Sequence, residues 1–179
     1  MGSASVFERQ SALGNVSGEV RGWALVQAAA FNSTHAEFRR TMRAVLGADL
    51  PAAIGEVIRI NGRQLLKTGA EQYWILTPEA DDIIPDLQQA IPAQIGAITS
   101  LSHSRTCVFI EGPQAAAVLA KGVPLDFHPD VFRVDQFALT GIHHTPVLIH
   151  RNAPDRYEIY ALRTYAMTVW EWLTDAAVR

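Results

Sequence analysis

Ser102, His103, Ser104 and Arg105 stand side by side in the stretch Ser100-Leu101-Ser102-His103-Ser104-Arg105. Two hydroxyls, an imidazole and a guanidinium in such company are the raw material of acyl transfer: a nucleophile, a base and an oxyanion partner. The spacing argues against it. A catalytic serine ordinarily rides a strained exposed turn such as the Gly-x-Ser-x-Gly elbow, and that frame is absent. On an extended segment neighbours point to opposite faces, so His103 reaches neither adjacent hydroxyl. The stretch reads instead as a strand entrance, with His103 and Arg105 on one face and the serines satisfying backbone groups.

Other chemistry fares no better. The single cysteine, Cys107, lies in the apolar run Thr106-Cys107-Val108-Phe109-Ile110. Nothing beside it would lower its pKa, so a buried structural thiol is expected. Of the histidines, His143, His144 and His150 are close in sequence, with His35, His103 and His128 elsewhere. His143 and His144 point oppositely if extended. His144 and His150 could face each other across a hairpin, but no cysteine or carboxylate pair completes a metal-ligand spacing. Neither a P-loop nor a Gly-x-Gly-x-x-Gly fingerprint is present. No catalytic, cofactor-binding or metal-binding residue is therefore expected in this chain.

The elements that would hold these residues are legible from periodicity and punctuation. Gly18 to Phe31 reads as a strand. Thr34 and Glu37 have capping-box spacing before a helix whose inner stripe is Phe38, Met42, Val45 and Leu46, and Gly47 ends it. Asn61-Gly62 between Glu56–Ile60 and Arg63–Lys67 marks a tight hairpin. Tyr73 to Leu76 is a strand. Thr77-Pro78 looks like a helix start, although Pro85 either kinks that helix or marks its true beginning. The same series then recurs. Arg105 to Glu111 is a strand, Gly112-Pro113 opens a short helix that Gly122 closes, and Gln136–Ile142, Pro146–His150 and Arg156–Ala161 are strands. The last helix, from about Arg163 to Ala177, buries Ala166, Val169, Trp170, Leu173 and Ala177, with Trp172 on its flank. Trp172 there either covers a neighbouring loop or meets another chain. The expectation is an α+β fold of two pseudo-repeated strand-helix-strands-helix units, residues 18–99 and 100–179, sharing one sheet system. Residues 1–17 are expected to be a mobile N-terminus.

Composition sets the limits. With 179 residues, 49% hydrophobic, 18% charged and a net charge of −3, the chain can bury a real core. Arg39, Arg40 and Arg43 make a solvated helix face rather than a nucleic-acid surface. The longest apolar stretch, Trp23 to Phe31, is too short to span a membrane, and no signal peptide is evident. One cysteine is compatible with a reducing cytoplasm.

An ordered series in the second half carries a resemblance. It runs Leu101-Ser102-His103-Ser104-Arg105, then Gly112-Pro113, then Val118 to Gly122, then Leu125-Asp126-Phe127-His128-Pro129. It continues with Pro146 to Arg151 and ends with Trp170 to Ala177. This series resembles the gamma subunit of heterotetrameric sarcosine oxidase, with Val45 to Pro51 and Gly69 to Pro78 fitting in the first half. Ser104 stands where the family usually has glycine, and Phe127 where it has leucine. The resemblance implies the folate-binding-domain fold of the glycine-cleavage aminomethyltransferase type. It also implies an accessory, non-catalytic subunit of a complex that demethylates sarcosine to glycine and passes the one-carbon unit to tetrahydrofolate. Flavins, nicotinamide nucleotide, zinc and tetrahydrofolate would then belong to partner subunits. His103, Arg105, Gly112, Pro113, Lys121, Gly122, Asp126, His128, Arg151, Trp170 and Trp172 become structural anchors or interface groups. The alternative is a stand-alone folate-binding or aminomethyltransferase-like protein.

Overall fold

The structure is a computed structural model and describes residues 8–10 and 14–178. The chain forms two compact units: residues 22–103, and residues 1–21 together with 104–179.

In the contiguous unit, β3 (Trp23–Ala30) leads to α1 (His35–Leu46), β4 (Val57–Ile60), β5 (Arg63–Gly69), β6 (Gln72–Pro78), α2 (Ile84–Ala90) and β7 (Gly96–Ser100). The antiparallel sheet has the order β4-β5-β6-β3-β7. The Asn61-Gly62 turn forms as expected, both residues at positive φ, 48° and 78°, which matches the right-handed twist of the strands it joins. Phe38, Met42 and Leu46 of α1 and Leu87 of α2 pack with Val26, Ala28, Leu65, Tyr73 and Ile75. Gly47 ends α1 at φ 66°, its N–H donating to Arg43 O. Thr34 precedes α1 but makes no capping bond. Its hydroxyl donates at 3.0 Å to Phe31 O and also reaches Ile95 O, tying the helix entrance to the chain before β7.

Thr77-Pro78 does not start a helix. It ends β6, and α2 begins at Ile84 with Pro85 in its first turn, where a missing N–H costs nothing. The Thr77 hydroxyl is engaged by Asp81, Oγ1 to Oδ2 at 2.9 Å, and Asp81 also takes a two-pronged bond from Arg63 at 2.6 and 2.7 Å. The Arg63 bond first, then the Thr77 bond, holds the Asp81 carboxyl down at about 2. A depressed carboxylate stabilises the fold above its ordinary pKa, roughly pH 4, and loses that effect as pH falls through its folded value. The denaturant midpoint of Asp81→Asn should therefore lie below wild type at pH 6 and converge on it between about pH 4 and 2. Parallel midpoints across that window would contradict the assignment.

The second unit repeats the scheme with β8 (Arg105–Glu111), α3 (Ala115–Ala120), β9 (Gln136–Ile142), β10 (Thr145–Ala153), β11 (Arg156–Leu162), a 3₁₀ turn at Arg163–Tyr165 and α4 (Ala166–Ala176). Its sheet order is β1-β2-β8-β11-β10-β9, the first two strands being β1 (Glu8–Gln10) and β2 (Val16–Glu19). Val169, Trp170 and Leu173 of α4 and Val118 and Leu119 of α3 cover Val108, Ile149, Tyr157 and Ile159.

Three expectations change here. The repeats build two separate sheets rather than one shared system. Residues 8–10 and 16–19 are paired strands, not a mobile lead, while residues 1–7 and 11–13 lie outside the described residues. The strand expected over Gly18 to Phe31 is broken at Gly22, φ 73°, into β2 and β3. β2 precedes β3 but pairs with β8, and β7 precedes β8 but pairs with β3. Each repeat's leading strand thus completes the other repeat's sheet, and the unit boundary falls at 103/104.

Candidate functional site

The residues expected to matter do not converge on one centre; most hold loops and helix ends. Strand β7 stops at Ser100, and Ser102 to Ser104 form a turn, so His103 and Arg105 do not share a strand face as expected. His103 is exposed on that turn; Arg105 opens β8, half-buried, and burial lowers its pKa. Ser102 closes the β3–β7 ladder: its hydroxyl accepts from Leu25 N–H at 2.9 Å, next to the Leu101 N–H bond to Leu25 O at 2.8 Å.

Gly112 ends β8 at φ 136°, against Asn15 and Gly14. Its N–H donates to Asp155 O at 2.9 Å. Pro113 follows in the exposed turn into α3, where Gln114 N–H donates to Asn15 Oδ1 at 3.2 Å. The buried Asn15 thus serves an N–H at the helix entrance from the distant segment that leads into β2.

At the other end of α3, Lys121 Nζ donates to Ala176 O at 2.7 Å. A cation on the last carbonyls of α4 is favourable both as a hydrogen bond and against the helix dipole. Gly122 lies under Trp172, whose ring would come within 2.6 Å of an added Cβ. Trp172 also meets His143 edge-on, ring centroids 6.0 Å apart. Trp172 therefore covers the α3 exit loop, while Trp170 is in the core. Gly122→Ala should cost about 1–2 kcal/mol by forcing the indole off its seat. Urea unfolding with tryptophan emission checks this, and an unshifted spectrum with unchanged midpoint would refute it.

Asp126 and His128 shape the next loop. His128 N–H donates to Asp126 Oδ1 at 2.8 Å, and Asp130 N–H to His128 Nδ1 at 3.3 Å. Arg151 is the principal anchor. Only 7% exposed, it donates from Nη1 to Phe132 O at 2.6 Å and from Nη2 and Nε to Pro154 O at 2.6 and 3.2 Å. It also lies 5.6 Å over the Tyr157 ring.

A polar ladder escaped the sequence reading. On one face of the sheet His150 pairs across with Glu158, and Tyr160 with Cys107. His150 is fully buried, its Nδ1 3.8 Å from Glu158 Oε2 and its Nε2 3.7 Å from Asp135 Oδ1. These are ion-pair distances, too long for hydrogen bonds. Tyr160 Oη donates to Glu158 Oε2 at 2.7 Å and Asn152 Nδ2 to Oε1 at 2.5 Å. Burial works to raise the Glu158 pKa, but His150 and Tyr160 outweigh it and hold the group below its ordinary value. Burial, with Glu158 adding to it, pushes the Cys107 thiol well up, so it is protonated at neutral pH and no nucleophile. His144 is not opposite His150. His143 and His144 make the β9–β10 turn, and His150 faces Phe137. A glutamate in the apolar run Arg156 to Leu162, one hairpin away from a histidine, was the available signal. Among the described residues no cluster of histidine, cysteine and carboxylates could hold a metal ion.

The sarcosine oxidase, gamma subunit family matches residues 29–179. The chain belongs to that family. It is 32% identical over 136 residues to sarcosine oxidase subunit gamma of Corynebacterium sp. (strain U-96), covering 75% of this chain and 66% of the relative. It is 29% identical to the Arthrobacter sp subunit over 136 residues, covering 75% and 67%. The chain thus spans about two thirds of the length of these curated relatives. The heterotetrameric sarcosine oxidase from Corynebacterium sp. U-96, in complex with pyrrole 2-carboxylate, contains a chain that superposes with TM-score 0.85 at 28% identity. The superposition covers 95% of this chain and 87% of that one. Glycine cleavage system aminomethyltransferase T from Bartonella henselae superposes with TM-score 0.66 at 17% identity, over 90% of this chain and 46% of that one. The duplicated α+β fold expected of this family is thereby established. None of the described helices is long and apolar enough to cross a membrane.

Proposed function

We propose that this chain is a non-catalytic subunit that assembles with the larger, cofactor-carrying chains of a sarcosine-oxidase-type complex. In this reading the complex demethylates sarcosine in the cytoplasm. Flavins, nicotinamide nucleotide, zinc and tetrahydrofolate are held by the partner chains. The observation that carries it is the likeness over 95% of the chain to a subunit of a heterotetrameric sarcosine oxidase. The polar anchors support it: Arg151, Lys121, Asp126 and Ser102 bond to the protein's own backbone. The groove beside β7 has a volume of about 350 Å³. Phe31, Ile91, Ala93 and Ile98 line it with Gln88, offering neither a carboxylate for a pteridine nor a cation for a glutamate tail. The stand-alone folate-binding alternative is not favoured, since the relatives are gamma subunits.

Co-expression with the other sarcosine oxidase subunits, followed by affinity capture of this chain, tests the proposal. Stoichiometric recovery of the flavin-containing chains is expected. Their assembly into an active complex that excludes this chain would end it.

A further inference from the structure

The duplication leaves one sheet edge unlike its counterpart. Strand for strand, β4-β5-β6-β3-β7 matches β9-β10-β11-β8-β2, so β7 and β2 occupy equivalent edges. On β2 lies a further antiparallel strand, β1, with Glu8 opposite Gly18 and Gln10 opposite Val16. On β7 no described strand lies.

The β3–β7 ladder shows what β7 offers outward. Leu101 N–H donates to Leu25 O at 2.8 Å and Phe31 N–H to Ile95 O at 3.1 Å. In an antiparallel ladder that parity turns the backbone groups of residues 95, 97, 99 and 101 toward β3. Those of Gly96, Ile98 and Ser100 turn away. The Gly96 N–H is taken by Pro92 O at 3.3 Å. No described residue pairs with the outward groups of Ile98 and Ser100. The strand, Gly96-Ala97-Ile98-Thr99-Ser100, carries neither the charge nor the proline that ordinarily blunts an open edge. Alongside it runs the apolar groove of about 350 Å³, walled by Phe31, Ile91, Ala93 and Ile98. Phe31 is 46% exposed there. An unpaired strand edge beside an apolar groove is the geometry of recognition by strand addition, in which main-chain bonds bind and a pocket selects.

We propose that the β7 edge receives an extended segment of a partner chain of the oxidase complex, antiparallel to β7, with an apolar side chain set into the adjoining groove. The inference rests on the assembly reading above. The occupant is a strand because the equivalent edge carries one. It is apolar because the groove walls bear no charge. It comes from another chain because β1, the strand of this chain that fills the same place in the repeat, is already committed to β2.

Hydrogen exchange of the complete chain, alone and in the purified complex, reads the edge directly. On assembly the Ile98 and Ser100 amides should slow by about tenfold or more, as newly bonded amides do. Ser100→Pro removes an outward N–H without touching the β3 ladder. It should leave the melting temperature of the isolated chain unchanged while weakening assembly by about tenfold, roughly 1.4 kcal/mol. Unchanged exchange at both amides in an assembled complex overturns the proposal, whether or not the proline variant folds. So does a folded Ser100→Pro chain that assembles like wild type. Protection already present in the isolated chain under conditions where it dimerises assigns the edge to a second copy and equally overturns it. Failure of the wild-type chain to assemble removes the assembly reading itself and is seen before any variant is made.

Discussion

Gly112→Ala should lower the unfolding free energy by about 3–4 kcal/mol. Two costs combine. The residue is at φ 136°, a conformation that side chains other than hydrogen rarely adopt. In addition, an added Cβ would come within 2.5 Å of Asn15 Oδ1, 2.9 Å of Asn15 Cα and 3.0 Å of Gly14 O. Two of those neighbours are backbone, so the clash cannot be relieved by turning one side chain. Moving Asn15 would also take its oxygen from Gln114 N–H at the entrance to α3. Gly47 provides the internal control. It too has positive φ, 66°, but open space where a Cβ would go, so Gly47→Ala should cost only about 1 kcal/mol. Urea unfolding of both variants compares a crowded site of extreme φ with an open left-handed one. Equal losses would mean that neither the contact with Asn15 nor the more extreme φ contributes.

Arg151→Ala should cost about 3–5 kcal/mol. The guanidinium is the donor for Phe132 O and Pro154 O, carbonyls of two segments that no strand ladder serves. Each bond from a charged donor contributes about 1.5–3 kcal/mol, and a buried carbonyl left bare adds its own desolvation cost. The lost packing over Tyr157 adds further. Arg151→Lys should recover less than half, because a single ammonium cannot span both carbonyls as the planar fork does. The loop from His128 to Asp135 should then exchange its amides faster, since Phe132 N–H bonds to His128 O inside that same loop. An Arg151→Ala chain with wild-type unfolding and unchanged exchange in that loop would show the fork to be dispensable.

These two effects fall on residues that the sequence marked without explaining. Arg151 stood out only through the family resemblance, and Gly112 through it and through the Gly112-Pro113 helix opening. The reason each is required involves a partner far away in the chain: Asn15 for one, the Phe132 carbonyl for the other. The reverse holds for His103, which looked like chemistry and lies exposed on a turn. Trp172, offered two roles, has the intramolecular contact in this chain, its indole lying over Gly122.

Local signals carried much of the architecture. The Asn61-Gly62 hairpin, the α1 stripe of Phe38, Met42 and Leu46 and its Gly47 stop depend on spacings of a few residues, and so does the inner stripe of α4. They could be read directly, as could the duplication built from them. Strand β7 went unread because five residues with Ile98 as the single large apolar side chain show neither length nor alternation. The pairing of β2 with β8 and of β7 with β3, the ladder around His150, and the open β7 edge were decided by tertiary structure alone. Periodicity states that a segment is extended and which face is apolar. It carries no information on which distant strand supplies the partner, because backbone hydrogen bonds are the same at every residue. Register and edge order follow only when the whole set of strands competes for the same donors and acceptors.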